Sequence, residues 1–216
     1  PPRSTLFPYT TLFRSLHVLM KKTSEKSHSG QKGKSDRVQN PEPTPKVPGS
    51  HFITKEEFSA ILDNAKSQHA QYRQIIQKIR KHPPAQLDHM IHALHESAFE
   101  KIDCRECALC CITLGPRITD RDIAKISKNL RVKPSAMSST YLQTDEDGDY
   151  IFKSMPCPFL QSDKLCGIYS VRPAACAGYP HTDRPRQVQL LDLLVKNSLI
   201  CPAAALIAEG LKNAIQ

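Results

Sequence analysis

No stretch of this 216-residue chain offers the roughly 18 uninterrupted apolar residues of a membrane span, and Leu16 to Met20 is too short for the apolar core of an export signal. The expectation is a soluble, cytoplasmic protein without a membrane partner. Cysteine is missing from the first 103 residues, and all eight cysteines lie from Cys104 onward. Eight thiols could form four disulfides, but that arrangement belongs to small exported domains, and a reducing cytosol keeps thiols free for other chemistry. A glycine-rich phosphate loop, a Ser-His-Asp order and paired catalytic carboxylates are also missing. The sequence therefore assigns no catalytic residue and leaves open whether the protein is an enzyme.

Methionine is absent from position 1. Pro1 to Ser15 looks like the codon-by-codon translation of a short-read sequencing adapter, with Met20-Lys21-Lys22 as a plausible start, so residues 1–15 are set aside from fold reasoning. The net charge of +9 is unevenly placed: residues 1–50 hold nine Lys/Arg against three Asp/Glu, leaving 21 against 18 for the rest. The folded part is thus nearly neutral. The basic leader, residues 16–50, has scattered lysines without an arginine block or interleaved aromatics, which favours a solvated linker over a nucleic-acid arm. With Pro41, Pro43, Pro45 and Pro48 and little apolar surface to offset ordering entropy, it is expected to be disordered. The remainder can bury one core, or one core with a helical appendage.

Thr54 and Glu57 form a capping-box pattern ahead of Phe58, Ile61, Leu62, Ala65, Tyr72, Ile75, Ile76 and Ile79, which recur at helical spacing. His82-Pro83-Pro84 stops this helix. A second runs from about Ala85 to Lys101 with Leu87, Met90, Ile91, Leu94, Ala98 and Ile102 on one stripe, giving an expected helical hairpin over 51–103. Further on, Thr119 with Asp122 caps a helix carrying Ile123, Ile126 and Leu130, and Pro134 opens a shorter one toward Tyr141-Leu142. Asp145 to Asp149, with Gly148, reads as a hairpin tip before a strand at Tyr150 to Lys153. Its four carboxylates lack the closing glutamate of a calcium loop, so a solvated turn is expected. Pro156 to Leu160 and Leu165 to Tyr169 read as extended segments folded back on each other, and helices are expected from about Gln187 to Leu199 and from Pro202.

Half of the cysteines fall in one run, Cys104-Arg105-Glu106-Cys107-Ala108-Leu109-Cys110-Cys111, and thiolate sulfur at this spacing suits soft or borderline ions and iron-sulfur clusters. Cys157, Cys166, Cys176 and Cys201 are the further candidate ligands. Adjacent side chains diverge, so Cys110 and Cys111 are expected to serve different groups. A helical run would align Cys104, Cys107 and Cys111, whereas a knuckle would converge Cys104, Cys107 and Cys110. The C-x2-C-x2-C run and the pairs Cys157-Pro158 and Cys201-Pro202 favour an iron-sulfur cluster, 4Fe-4S, while distant cysteine pairs suit structural zinc. Arg172 could balance thiolate charge or clamp a surface carboxylate; Tyr169 and Tyr179 are expected to pack over the centre. Gly178 and nearby prolines would let the backbone turn tightly there. His181 is a minor ligand candidate. His89, His92 and His95, spaced by three, fan from the polar side of their helix toward the edge of its apolar stripe and are expected to be surface residues.

The joint pattern of C-x2-C-x2-C-C, then P-C-P-F-L, then C-x-I-Y-x-x-R-P-x-x-C-x-x-Y-P and a last cysteine resembles the YkgJ-type cysteine-cluster family of bacterial proteins over roughly Cys104 to Cys201. The resemblance implies a zinc- or iron-chelating domain, with metal or iron-sulfur binding inferred for most members from their cysteines and their biochemical activity mostly unassigned. A similar cluster occurs in flagellin lysine methylases, which implies a redox enzyme or protein-lysine methylase as the alternative; no glycine-rich methyl-donor turn accompanies it here. The expected fold class is mainly α, or α+β with a small β-hairpin: a helical hairpin followed by an irregular cysteine-ligated metal domain with C-terminal helices over 104–216. The expected partners are a metal ion or cluster and a protein partner, not nucleic acid.

Overall fold

The computed structural model describes residues 53–215, and the expectations for residues 1–15 and 16–50 lie outside that range. The chain is mainly helical with one two-stranded antiparallel sheet, and it buries two hydrophobic cores.

The first core is built from long helices. Helix α1 (Lys55–Lys81) begins at the expected box: the Thr54 hydroxyl accepts from the Glu57 N–H at 3.4 Å and the Thr54 N–H donates to the Glu57 carboxylate at 2.6 Å. Two orphan N–H groups are thereby satisfied at the helix start. Helix α2 (Leu87–Phe99) follows the proline break. Two C-terminal helices complete this core: α8 (Leu191–Asn197) and α9 (Pro202–Ile215), the latter with proline in its first position. Helix α9 packs along both α1 and α2, which make far less contact with each other. The predicted stripes supply this interior: Phe58, Ala65, Tyr72, Ile76, Ile79, Leu87, Ile91 and Ala98 are buried against Leu191, Leu194, Ala204, Ile207 and Leu211. Helix α9 comes so close to α2 that a Cβ on Gly210 would lie 2.5 Å from a Leu94 methyl.

The second core is smaller and more irregular. Helix α5 (Asp120–Leu130) starts at the Thr119/Asp122 capping box and α6 (Pro134–Tyr141) starts at proline, both as expected. Strands β1 (Leu142–Thr144) and β2 (Tyr150–Phe152) pair in the register Leu142 with Phe152, Gln143 with Ile151 and Thr144 with Tyr150. At the tip, Gly148 has φ 81°, the left-handed region where a side chain costs most. Asp145 there accepts the N–H groups of Asp147 and Asp149 at 3.0 and 2.9 Å, and Asp149 pairs with Arg117 at 2.9 Å. The acidic tip is a self-satisfied turn. Ile118, Ile123, Ile126, Met137, Leu142, Phe152, Phe159 and Ile168 form the interior.

Between the cores run the short helices α3 (Cys104–Cys107) and α4 (Leu109–Thr113), and a third short helix, α7 (Ala174–Ala177), carries Cys176. No helix among the described residues is long and apolar enough to cross a membrane.

Candidate metal centre

The cysteine run is a broken helix. Ala108, between α3 and α4, sits at φ 51° and ψ 8°, and this left-handed residue interrupts the stripe that a continuous helix would make. Cys104 and Cys107 lie before the break, Cys110 and Cys111 after it, and the Cys110 and Cys111 sulfurs are 3.9 Å apart. All eight cysteines are free; Cys201 is buried, six are half-buried and Cys104 is exposed as a residue.

Each remaining cysteine is placed by its own local structure. The Cys157 N–H donates to the Cys111 carbonyl at 2.8 Å, which ties the P-C-P-F-L segment to the cysteine run. That segment pairs back on itself through a bridge between Leu160 and Cys166 and a 2.8 Å bond from the Gly167 N–H to the Phe159 carbonyl, as the sequence suggested. Cys201 caps α9, accepting the Ala205 N–H through its carbonyl at 2.9 Å.

Four of the thiols receive backbone N–H groups from the residue two positions on: Leu109 toward Cys107, Phe159 toward Cys157, Ile168 toward Cys166 and Ala203 toward Cys201. Such donors favour the thiolate over the thiol. Burial works the other way and dominates, pushing Cys157 up to about 11 and Cys176 and Cys201 up to about 12, with Cys107 and Cys166 also raised. Cys104 is pushed up to about 12 as well, because its thiol is shielded even though the residue is exposed, with Cys107, Asp103 and Cys111 adding to the rise. In the close pair the shared S–H···S contact raises Cys110 and lowers Cys111, with the Arg172 guanidinium helping Cys111 further. The site thus holds its sulfurs as crowded, buried thiols whose ionisation calls for a cation. A divalent ion or cluster provides that charge and releases the protons. Among the described residues no three His, Cys, Asp or Glu side chains converge as an ion's ligands.

Two side chains beside the sulfurs fit a bound centre. The Tyr179 hydroxyl is buried without a hydrogen-bond partner, in a position where Cys201, Cys110, Cys107 and Cys104 all raise its pKa after burial itself. A buried donor left unpaired costs about 1–3 kcal/mol, and a thiolate of the neighbouring cysteines would be a fitting acceptor. Arg172 stacks on the Tyr169 ring, 3.9 Å from its centroid, and its charge lowers Cys104, Cys111, Cys166 and Cys176. It therefore faces the cysteines as a charge-balancing group. Tyr169 itself is 38% exposed, with Arg172 over its ring.

The histidines behave differently. His89 is exposed, whereas His92 and His95 are half-buried and dock the loop before α8: His92 Nε2 bonds the Arg184 carbonyl at 3.0 Å and His95 Nδ1 the Thr182 hydroxyl at 2.8 Å. His181 is buried at φ 70°, packs edge-on to Tyr179 and is driven down to about 4 by burial and then by Arg184. Gly178 is not a left-handed turn, at φ −94°; it leaves room, since a Cβ there would meet the Arg184 guanidinium at 2.6 Å.

Sequence reasoning missed the wider role of Asp122. Its buried carboxylate accepts the Thr119 N–H and hydroxyl at 3.0 and 2.6 Å through one oxygen and the Ala174 N–H at 3.0 Å through the other. The capping residue of α5 thus also anchors α7 and its Cys176. The capping box disclosed the first role, and no local signal disclosed the second.

All eight free cysteines thus fall in one cysteine-rich region, Cys104 to Cys201. The family model of CxxCxxCC, described as a putative zinc- or iron-chelating domain, matches residues 103–201, a little under half of the chain. The matched span includes every cysteine of the protein. No curated protein and no solved structure matches the chain.

Proposed function

We propose that Cys104, Cys107, Cys110, Cys111, Cys157, Cys166, Cys176 and Cys201 bind metal as a 4Fe-4S cluster or as zinc, in a cytoplasmic module with a structural, delivery or sensing role. The observation that carries the reading is the set of eight free cysteines, with the Cys110 and Cys111 sulfurs 3.9 Å apart and the Cys157 N–H bonded to the Cys111 carbonyl at 2.8 Å. A chain that only packed its cysteines as small apolar groups has no reason to space them as C-x2-C-x2-C-C. The nearly neutral folded part favours a protein partner over nucleic acid. Anaerobic purification followed by metal analysis and a visible spectrum tests the proposal. Broad visible absorption with matching iron and sulfide supports the cluster, and a colourless protein with stoichiometric zinc supports zinc. A chain that carries neither and takes up neither on reconstitution overturns it.

A further inference from the structure

Cys110 and Cys111 lie in the stretch of chain that leads from Ile102 of the helical core to Ile118 of the hairpin core, with Cys107 and Cys201 packed on the first core and Cys157 and Cys166 on the second. We propose that the eight cysteines form two non-equivalent four-sulfur metal centres, one of Cys104, Cys107, Cys110 and Cys201 and one of Cys111, Cys157, Cys166 and Cys176. This rests on the metal-binding reading above and adds the number of centres and their membership.

Packing separates the two sets first. Cys201 belongs to the helical core and Cys107 and Tyr179 pack against it, whereas Cys157 and Cys166 pack against the hairpin core. Backbone bonds separate them again: Cys157 is bonded to Cys111 at 2.8 Å, Cys166 is bridged to Leu160 beyond Cys157, and the helix of Cys176 is held by Asp122 of α5 at 3.0 Å. Four sulfurs satisfy a tetrahedral ion, so eight suit two such centres.

The surroundings differ. The helical-side set has the unpaired Tyr179 hydroxyl and the N-terminus of α9, which Cys201 immediately precedes. On the hairpin side, Arg172 stacks over the Tyr169 ring at 3.9 Å, in the stretch of chain between Cys166 and Cys176. A neutral donor deep in an apolar core and a half-buried guanidinium tune bound metal differently.

Titration of the metal-stripped, anaerobic full chain with Co(II) tests this. The thiolate-to-cobalt absorption should rise through two equivalents per chain, and a chain with Cys110→Ser and Cys201→Ser, or one with Cys157→Ser and Cys176→Ser, should retain one equivalent. Tyr179→Phe should alter the absorption of one equivalent only. Saturation of the unmodified chain at one equivalent overturns the two-centre arrangement, as does loss of both equivalents from a double variant that keeps its far-ultraviolet helicity, or an equal change of both bands in Tyr179→Phe. Should a double variant fail to fold, the unmodified titration and Tyr179→Phe still decide. A chain that takes up no Co(II) and carries no zinc or iron when purified overturns the metal-binding reading instead.

Discussion

Ala108 sets the direction of the cysteine run with a single left-handed residue, buried to 2% exposure. An L-residue there costs roughly 1–2 kcal/mol, and Ala bears it with the smallest side chain that still fills the space. Ala108→Gly would relieve the strain but lose a buried methyl, worth about 0.8 kcal/mol, so its stability should stay within about 1 kcal/mol of the parent. Ala108→Val places a β-branched residue at positive φ and should lower both the unfolding midpoint and the metal retained per chain. Urea unfolding with metal analysis checks the pair, and a Val variant that matches the parent in both would contradict this account. Asp122 is the second decisive residue. Asp122→Ala removes the acceptor for three donors, two of them backbone N–H groups, and should destabilise by about 3 kcal/mol. Because Ala174 is one of those donors, the variant should also free the helix of Cys176, seen as faster amide exchange from Ala174 to Gly178.

At the scale of elements, α1 and α9 are fastened by a polar clamp at the edge of their apolar seam. The Tyr72 hydroxyl donates to Glu209 at 2.8 Å, and the buried Lys212 ammonium reaches Glu209 at 2.8 Å and Gln68 at 3.2 Å. Burial tends to raise the Glu209 carboxyl, but the bonds from Lys212 and Tyr72 outweigh it and hold Glu209 below its ordinary value. A depressed folded-state carboxylate contributes stability above its unfolded pKa of about 4.3, and the contribution fades as pH falls through the lower folded value. The melting-temperature gap between the parent and Glu209→Gln should therefore be widest near neutral pH and close below about pH 4. A gap independent of pH would show that the carboxylate charge is not what the clamp uses. Helix α2 has its own attachment through His92 and His95. Replacing both by alanine should loosen the 181–187 loop and lower stability, yet leave bound metal per chain unchanged, because neither ring lies among the sulfurs. Loss of a full equivalent of metal would overturn that separation.

Over the whole molecule the two cores differ in what they have to hold them. The helical core joins long amphipathic helices through extended apolar faces, whereas the hairpin core rests on two short helices, three-residue strands and turns. Small, irregular cores commonly take their organisation from ligation. Chelation should therefore leave most far-ultraviolet helicity in place while the near-ultraviolet signal falls, since Tyr141, Phe152 and Phe159 pack together in the hairpin core and Tyr179 lies beside the cysteines. Unchanged near-ultraviolet dichroism in a verified metal-free sample would contradict this.

The helices, their caps and the hairpin tip were legible from residue order because each is decided locally: Thr54 with Glu57 and Thr119 with Asp122 satisfy N–H groups three residues away, and apolar spacing selects the face that is buried. The metal-chelating character was legible too, since eight free thiols in this pattern are a chemical statement before any folding occurs. What residue order could not decide was which sulfurs share a side. A continuous helix and a knuckle are both compatible with C-x2-C-x2-C-C, and the choice fell to one buried, left-handed alanine. The placing of α9 against both α1 and α2, the reach of Asp122 to Ala174 and the docking of His95 on Thr182 likewise span tens of residues. No local preference encodes such contacts; they exist only once the chain closes on itself, and they are what sets Cys201 beside Cys107 and Cys157 beside Cys111.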